Sequence, residues 1–186
     1  MGKKYTLTQE VIKDYVLSEA KRLDLDISED EAFGYISIQQ ILTQYQIDDD
    51  ETRRGIVDGG GDGGYDGIYI FVNGVLVNGE DYDSLDIGTR SRVDIHLIQA
   101  KNQTGFKEVI LQNWKDSFTN LMGGAFDYDR YNSNVIDLFS LIRSVLTKAV
   151  SLRLQINVTF WAISLAEEVH INVKKQADEL KKIAEA

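Results

Sequence analysis

The sequence predicts an α/β fold in which helices flank a mixed central sheet. Segments with apolar residues at helical spacing alternate with short, strongly apolar segments typical of strands. The pair Asn73-Gly74 separates two of these short segments and indicates a β-hairpin, because both residues accept the positive φ angles of a type I′ turn. The 186 residues, 43% of them hydrophobic, are enough for one domain with a sizeable core.

The first third of the chain is predicted to begin with two helices. Helical spacing of apolar residues covers residues 7–24 and 28–45, and Ser28 with Glu31 fits a capping box at the second start. The acidic run 48–51 is predicted to be a solvated loop. Residues 53–57 are predicted to form a short strand before a glycine-rich turn.

The remaining chain is predicted to supply the main sheet and its covering helices. His96 is expected on an outer or edge-facing side of its strand, and residues 154–165 are expected to be buried because they are almost continuously apolar. Strands are predicted at residues 67–72, 75–77, 93–100 and 154–165, and helices at residues 106–121, 135–150 and 172–186.

The amino-acid composition limits the cellular locations and kinds of site that are expected. There is no cysteine, so disulfides and thiolate metal sites are excluded, and a cytoplasmic location is expected. No apolar run is long enough for a signal peptide or a membrane span, so no membrane partner is expected. A single domain is predicted over residues 1–186: an N-terminal helix at 1–27, a core at 28–165 and a C-terminal helix at 166–186. That last helix lacks a glycine cap and is expected to lead into further sequence.

The formal net charge of -10 argues against a nucleic-acid partner, because phosphate contacts require a basic surface. The negative charge is concentrated, however, in the run 48–51, in the glycine-rich turn and in residues 80–86. Metal sites themselves need carboxylates, so the net charge does not decide the question.

Two segments carry the candidate chemistry. The turn Asp58-Gly-Gly-Gly-Asp-Gly-Gly-Tyr-Asp66-Gly67 delivers a carboxylate, Asp66, directly before an apolar strand. The later strand ends in Gln99-Ala100-Lys101, and alternation along a strand places Gln99 and Lys101 on one face. An oxygen ligand and a cation are therefore expected side by side.

These residues resemble a known nuclease pattern. Gly64-Tyr-Asp66 followed by Gln99-Ala-Lys101 looks like the Gln-x-Lys branch of the PD-(D/E)XK superfamily, as in Mrr-like endonucleases. Together with Leu138-Phe-Ser-Leu-Ile-Arg143, they resemble the N-terminal portion of AIPR proteins, the abortive-infection phage-resistance family. The resemblance spans most of residues 28–165. It implies a restriction-endonuclease-like αβββαβ core and a nuclease of a prokaryotic anti-phage system.

The resemblance also implies a Mg²⁺ or Mn²⁺ cofactor and a nucleic-acid partner, with DNA favoured over RNA and a homodimer allowed. Phosphodiester hydrolysis needs a divalent cation, and Mg²⁺ prefers oxygen ligands while retaining several waters. Asp66 would supply a carboxylate, Gln99 an amide oxygen and Ala100 its backbone carbonyl. Lys101 would orient the attacking water or stabilise the developing charge.

Glu31 is the fourth candidate catalytic residue. Nucleases of this superfamily often place a glutamate on the helix before the sheet, and Glu31 shares a helix face with Tyr35 and Ile38. The capping box with Ser28 is a purely structural reason for the same glutamate. Mrr-like chains often carry the acid next to the helix phenylalanine, where this chain has Gly34.

Other interpretations of the glycine-rich turn predict different functions. Asp58 and Asp62 fit Asx turns, and the alternation of Asp and Gly also occurs in calcium loops, although the terminal glutamate of an EF-hand is missing. The turn has no lysine of the kind that a P-loop uses. Two rival functions stay open: a catalytically inactive scaffold for self-association or partner binding, and a domain that binds calcium or an anion through the turn.

Overall fold

A four-stranded mixed sheet lies at the centre of the computed structural model, which describes residues 5–57, 59–79, 82, 85–124 and 126–185. The strands are β1 (Gly67–Val72), β2 (Val75–Leu76), β3 (Arg92–Lys101) and β4 (Gln155–Ser164). The helices are α1 (Leu7–Arg22), α2 (Glu29–Leu42), α3 (Asp49–Arg54), α4 (Glu108–Met122), α5 (Ser133–Ser151) and α6 (Ile171–Ala184), and a 3-10 turn covers Thr43–Tyr45.

The strand order is β2-β1-β3-β4. β1 is antiparallel to β2 and β3, whereas β3 and β4 are parallel and are joined by a crossover that contains α4 and α5. Asn73 and Gly74 have φ angles of 53° and 82°, as the predicted hairpin turn requires. The predicted αβββαβ order is confirmed by the succession α2-β1-β2-β3-α4-β4, with the short α3 added before β1 and α5 added to the crossover, and the sheet is mixed as predicted.

Helices cover both faces of the sheet, and β1 and β3 are therefore buried at nearly every position. Ile68 and Leu97 belong to a core with α4 and α5, and we call this side the α4 face. Tyr69, Phe71 and Ile98 pack with α2 on the opposite side, the α2 face. Among the described residues, no helix is long and apolar enough to cross a membrane.

The predicted second helix begins as expected. Ser28 Oγ accepts from the Glu31 backbone N–H at 3.3 Å, and Glu31 Oε2 accepts from the Ser28 N–H at 2.7 Å. The capping box is therefore formed, and it fixes the entry of the chain into α2.

The prediction for residues 48–57 was wrong in two respects. The acidic run is not a loop: Asp48 caps α3, and Glu51 completes a second capping box. The strand predicted at residues 53–57 is replaced by the end of this helix, and Ile56 contributes a single bridge to Gly67. Acidic residues in a first helical turn are favoured by the helix dipole, which explains why they start a helix here.

The predicted position of His96 was also wrong, because its side chain lies on the α2 face and is only 5% exposed. Trp161 Nε1–H donates to His96 Nδ1 at 2.9 Å, and His96 Nε2 lies 2.8 Å from the Tyr45 hydroxyl. An indole N–H only donates, so Nδ1 must accept and the imidazole is neutral. Burial lowers the pKa of His96, against the opposing influence of Asp94.

The buried imidazole predicts a pH dependence of stability. A lowered pKa in the folded state means that the stabilising contribution is complete above the unfolded value of 6.5 and is lost as the pH falls below it. We expect the free energy of unfolding to fall by at most about 1.4 kcal/mol per pH unit between about pH 6.5 and 5. Denaturant titrations of His96→Gln should lack this slope, and those of His170→Gln, changed at the exposed N-cap of α6, should keep it. The same slope in both variants would contradict the assignment.

The predicted burial of the last strand was wrong as well. β4 is an edge strand, and nine of its ten residues are half-buried rather than buried. Phe160 and Ile156 pack against the α4 face core only in part. A continuous apolar run does not distinguish a central strand from an edge strand, because both contact helices through their faces.

Candidate functional site

The glycine-rich turn packs against the start of α5. Gly61 has a φ angle of +78°, and a Cβ atom there would lie 2.9 Å from the Asn132 backbone nitrogen. The Asn132 N–H donates to the Gly61 carbonyl at 2.9 Å, and its side-chain amide reaches the carbonyls of Val57 and Gly60, each at 3.4 Å. Glycine at position 61 is therefore required by the close approach of two backbones.

The end of the turn is held by α4 and by its own aspartate. Trp114 Nε1 donates to the Gly64 carbonyl at 2.7 Å. Asp62 Oδ1 accepts from the Gly64 N–H at 2.7 Å, which is the contact that the Asx-turn interpretation predicts. Asp58, the other predicted turn-forming aspartate, lies outside the described residues. The turn thus serves to position the residues that follow it.

Asp66 is the residue that the turn delivers to the end of β3. Its N–H donates to the Ile98 carbonyl at 2.8 Å. Its carboxylate accepts from the Ala100 N–H at 2.7 Å through Oδ2 and from Lys101 Nζ at 3.1 Å through Oδ1. Three of the predicted site residues, Asp66, Ala100 and Lys101, are therefore in direct contact.

The Asp66 side chain is 15% exposed, and its two partners offset only part of the cost of burying its charge. Burial raises the pKa of Asp66, although the Ala100 N–H and the Lys101 ammonium act in the opposite direction. A carboxyl with a raised pKa is less stable as an anion in the fold than in the unfolded chain, so its ionised form carries a cost. Such a carboxylate gains from an additional cation, a property typical of functional sites.

Gln99 is only 7% exposed, and its Oε1 atom has no hydrogen-bond partner among the described residues. Alternation along β3 places it on the α4 face with Leu97. Gln99 lies next to Asp66 across the two strands, because β1 and β3 are antiparallel and the neighbouring residues Gly67 and Ile98 pair. An unsatisfied buried carbonyl costs about 1–3 kcal/mol, so this oxygen would gain from a partner beyond those that the described residues supply.

A cavity of about 380 Å³ opens beside the ion pair, between α2, α3 and the ends of β1 and β3. Asp66, Ala100, Lys101 and Glu31 all line it, whereas Gln99 does not. The structure thus brings four of the five predicted site residues around one cavity. Gln99 lies next to Asp66 but on the buried side.

Glu31 is exposed and lines this cavity from the first turn of α2. Its Oε2 is occupied by the Ser28 N–H, and these hydrogen bonds to Ser28 lower the pKa of the Glu31 carboxyl. Glu31 is therefore an anion at neutral pH. Only the acceptor sites of its carboxylate that the capping box does not use are available to a ligand in the cavity.

Sequence reasoning missed a second cation, Arg53, which lines the same cavity. Its guanidinium lies 5.3 Å above the Tyr35 ring and 3.6 Å from the Asp49 carboxylate. The Tyr35 hydroxyl in turn donates to Asp49. The sequence contains a feature that could have located Arg53, the capping box formed by Asp48 and Glu51. This box predicts a helix whose last turn contains Arg53, rather than a strand.

Asn102 was missed too. Its Nδ2 donates to Asp30 at 3.0 Å, and its buried Oδ1 atom has no hydrogen-bond partner among the described residues. Both Asn102 and Asp30 line the cavity. The cavity wall therefore combines cations, carboxylates and neutral oxygens.

The chain matches no protein-family model, no curated protein and no solved structure. The described residues also contain no group of three or more His, Cys, Asp or Glu side chains placed to hold a metal ion. A cation at this site would depend on one aspartate together with amide and backbone oxygens. The assignment of function accordingly rests on the chemistry of the site.

Proposed function

We propose that this chain is a Mg²⁺- or Mn²⁺-dependent nuclease domain that hydrolyses phosphodiester bonds, with DNA favoured over RNA. The observation that supports it best is the contact of Asp66 with both Ala100 and Lys101 at the rim of one cavity. A carboxylate beside a lysine ammonium, at the end of two paired strands, is the arrangement that the resemblance to PD-(D/E)XK nucleases implies. A role in a prokaryotic anti-phage system and a cytoplasmic location belong to the same proposal.

The residues present fit a hard divalent cation. Asp66 offers a carboxylate whose burial favours a further positive charge. Gln99, opposite Asp66 but on the α4 face, offers an oxygen that has no hydrogen-bond partner among the described residues. The Ala100 N–H is directed at Asp66, and in an extended strand the carbonyl of the same residue lies on the same side. When bound, the ion would activate water and neutralise charge on the phosphate.

Lys101 and Arg53 would perform the remaining steps. The Lys101 side chain is 41% exposed, so its ammonium can leave the Asp66 carboxylate oxygen and hold a water or a phosphate oxygen in the cavity. The Arg53 side chain is half-exposed, and its guanidinium lies above the Tyr35 ring. A planar guanidinium can donate two parallel hydrogen bonds to a phosphate, so Arg53 is available to bind one. These two cations lie in the cavity although the chain as a whole has a net charge of -10.

Cleavage assays test the proposal directly. Purified protein should convert supercoiled plasmid DNA to open forms in Mg²⁺ or Mn²⁺, and EDTA should stop the reaction. A labelled RNA of matched length, run in parallel, determines the preferred nucleic acid. Absence of cleavage of both substrates in either ion would count against the nuclease and favour the inactive scaffold.

The scaffold is the second candidate function, and one observation favours it. Both oxygens of Asp66 already have partners within the chain, Ala100 and Lys101, so the ion pair is complete without a ligand. In a scaffold, the same contacts would only join the end of β3 to the glycine-rich turn. Metal binding separates the two functions, because the scaffold gives Asp66 no affinity for Mn²⁺.

The variant Gln99→Met should show whether Gln99 is a metal ligand or only an unsatisfied buried polar residue. Methionine has a similar volume and no polar oxygen, so the free energy of unfolding without metal should rise by about 1 kcal/mol. Mn²⁺ affinity, measured by calorimetry, should fall at the same time because a ligand atom is lost. A variant that binds Mn²⁺ as tightly as the original protein would remove Gln99 from the ligand set.

A further inference from the structure

The outer edge of β4 is open. β4 pairs with β3 over all ten of its residues, and among the described residues no strand runs along its other side. The N–H and C=O groups on that side have the geometry to accept another strand. At the opposite end of the sheet, β2 is only two residues long and offers much less edge.

β4 also lacks the features by which proteins protect such edges. None of its residues, Gln155–Ser164, is charged, and the chain contains no proline. Exposed edges normally carry charges, prolines or bulges that prevent pairing with other chains. A long, uncharged and regular edge is typical of a strand that pairs.

Apolar surface lies beside this edge. A groove of about 1170 Å³ runs between β4, α4 and α6, and Val158, Phe160, Val173 and Leu180 are among its lining residues. Phe160 and Val158 remain half-exposed in the isolated chain. A strand added to β4 would cover part of this apolar surface.

The charges that flank β4 indicate which strand fits. Arg153 precedes the strand, Glu167 and Glu168 follow it, and all three are exposed. None of them forms an ion pair with a described residue. A second β4 in antiparallel orientation would bring Arg153 of each copy to the acidic end of the other, whereas a parallel one would place like charges together.

We propose that two copies of this chain pair antiparallel along β4 and join their sheets into one continuous sheet. Two-fold symmetry requires the axis to pass through a residue paired with itself, and Phe160 is one of the two middle residues of β4. In this register the end of β4 that follows Arg153 lies beside the end of the second β4 that precedes Glu167, so each Arg153 is brought near Glu167 of the other copy. The interface is uncharged in the middle and carries complementary charges at both ends.

Charge reversal tests this interface on the full chain. Sedimentation velocity over a concentration series should show a monomer–dimer equilibrium for the original protein. Arg153→Glu and Glu167→Lys should each weaken dimerisation by about tenfold, since each replaces two attractive contacts with repulsive ones. The double variant Arg153→Glu/Glu167→Lys should restore the original dissociation constant.

Two controls separate local pairing from general charge repulsion. Arg54→Glu makes the same charge change as Arg153→Glu at an exposed position beside β2, at the opposite edge of the sheet from β4, and it should leave dimerisation unchanged. Glu167→Lys makes the chain less negative, so general repulsion predicts a tighter dimer and the proposal predicts a weaker one. A chain that stays monomeric at millimolar concentration overturns the proposal. A dimer that neither single variant weakens, or that the double variant does not restore, also overturns it.

Discussion

Replacing Lys101 with alanine should reduce nucleic-acid cleavage by two to three orders of magnitude while Mn²⁺ binding stays within about tenfold of the original protein. Lys101 Nζ lies 3.1 Å from Asp66 Oδ1, where it would compete with the proposed metal ion for the same carboxylate. Its removal therefore frees a ligand oxygen. In the proposed mechanism, the variant lacks the cation that holds a water or stabilises charge during cleavage. Cleavage rates and calorimetric Mn²⁺ titrations should be measured on the same preparation.

Arg54→Ala is the matched control for Lys101→Ala. Arg54 is an exposed cation close to the same end of the sheet, but it lines a separate cavity and not the one with Asp66. Its loss should leave both cleavage and Mn²⁺ binding unchanged. If Lys101→Ala loses Mn²⁺ binding together with its circular dichroism spectrum, the lysine is needed for folding. If Lys101→Ala cleaves at the original rate, Lys101 takes no part in the reaction.

Replacing Asp66 with asparagine should weaken Mn²⁺ binding at least about a hundredfold, a loss of roughly 2.7 kcal/mol. Asparagine keeps an oxygen for the Ala100 N–H, so the strand end is preserved. It removes the full negative charge that a divalent cation requires. Cleavage should fall below detection, because the ion and its activated water are lost together.

Asp62→Asn is the control that tests the calcium-loop alternative. Asp62 Oδ1 accepts from the Gly64 N–H at 2.7 Å, and asparagine can accept in the same way. The turn should therefore keep its shape, and most Mn²⁺ affinity should remain. Equal losses in Asp62→Asn and Asp66→Asn would mean that the glycine-rich turn binds the ion as a unit.

The sequence predicted the elements whose signals are local. The capping box of α2, the Asn73-Gly74 hairpin and the apolar strands β1 and β3 all follow from short-range patterns, and the structure has them. The proximity of Asp66 to Lys101 was also predictable, because β1 and β3 are antiparallel neighbours and both residues lie at the same end.

Long-range packing was not predictable in the same way. The local sequence around His96 does not indicate which residues it contacts. Its partners, Tyr45 and Trp161, are distant in sequence. The exposure of β4 depends on its place at the edge of the sheet, which only the topology determines. Arg53 was missed for a different reason, because the Asp48–Glu51 capping box was interpreted as a solvated loop.

Asn132 links the start of α5 to the glycine-rich turn, and this link affects how the protein unfolds locally. Its Oδ1 atom caps α5 through the Val135 N–H, while its backbone and side-chain N–H groups hold Gly61, Val57 and Gly60. We therefore expect the first turn of α5 and the glycine-rich turn to open together, as one cooperative unit. Amide protons of both segments should exchange with solvent at a common rate. Whatever loosens the start of α5 would also release Asp66, at the far end of that turn, from its fixed position.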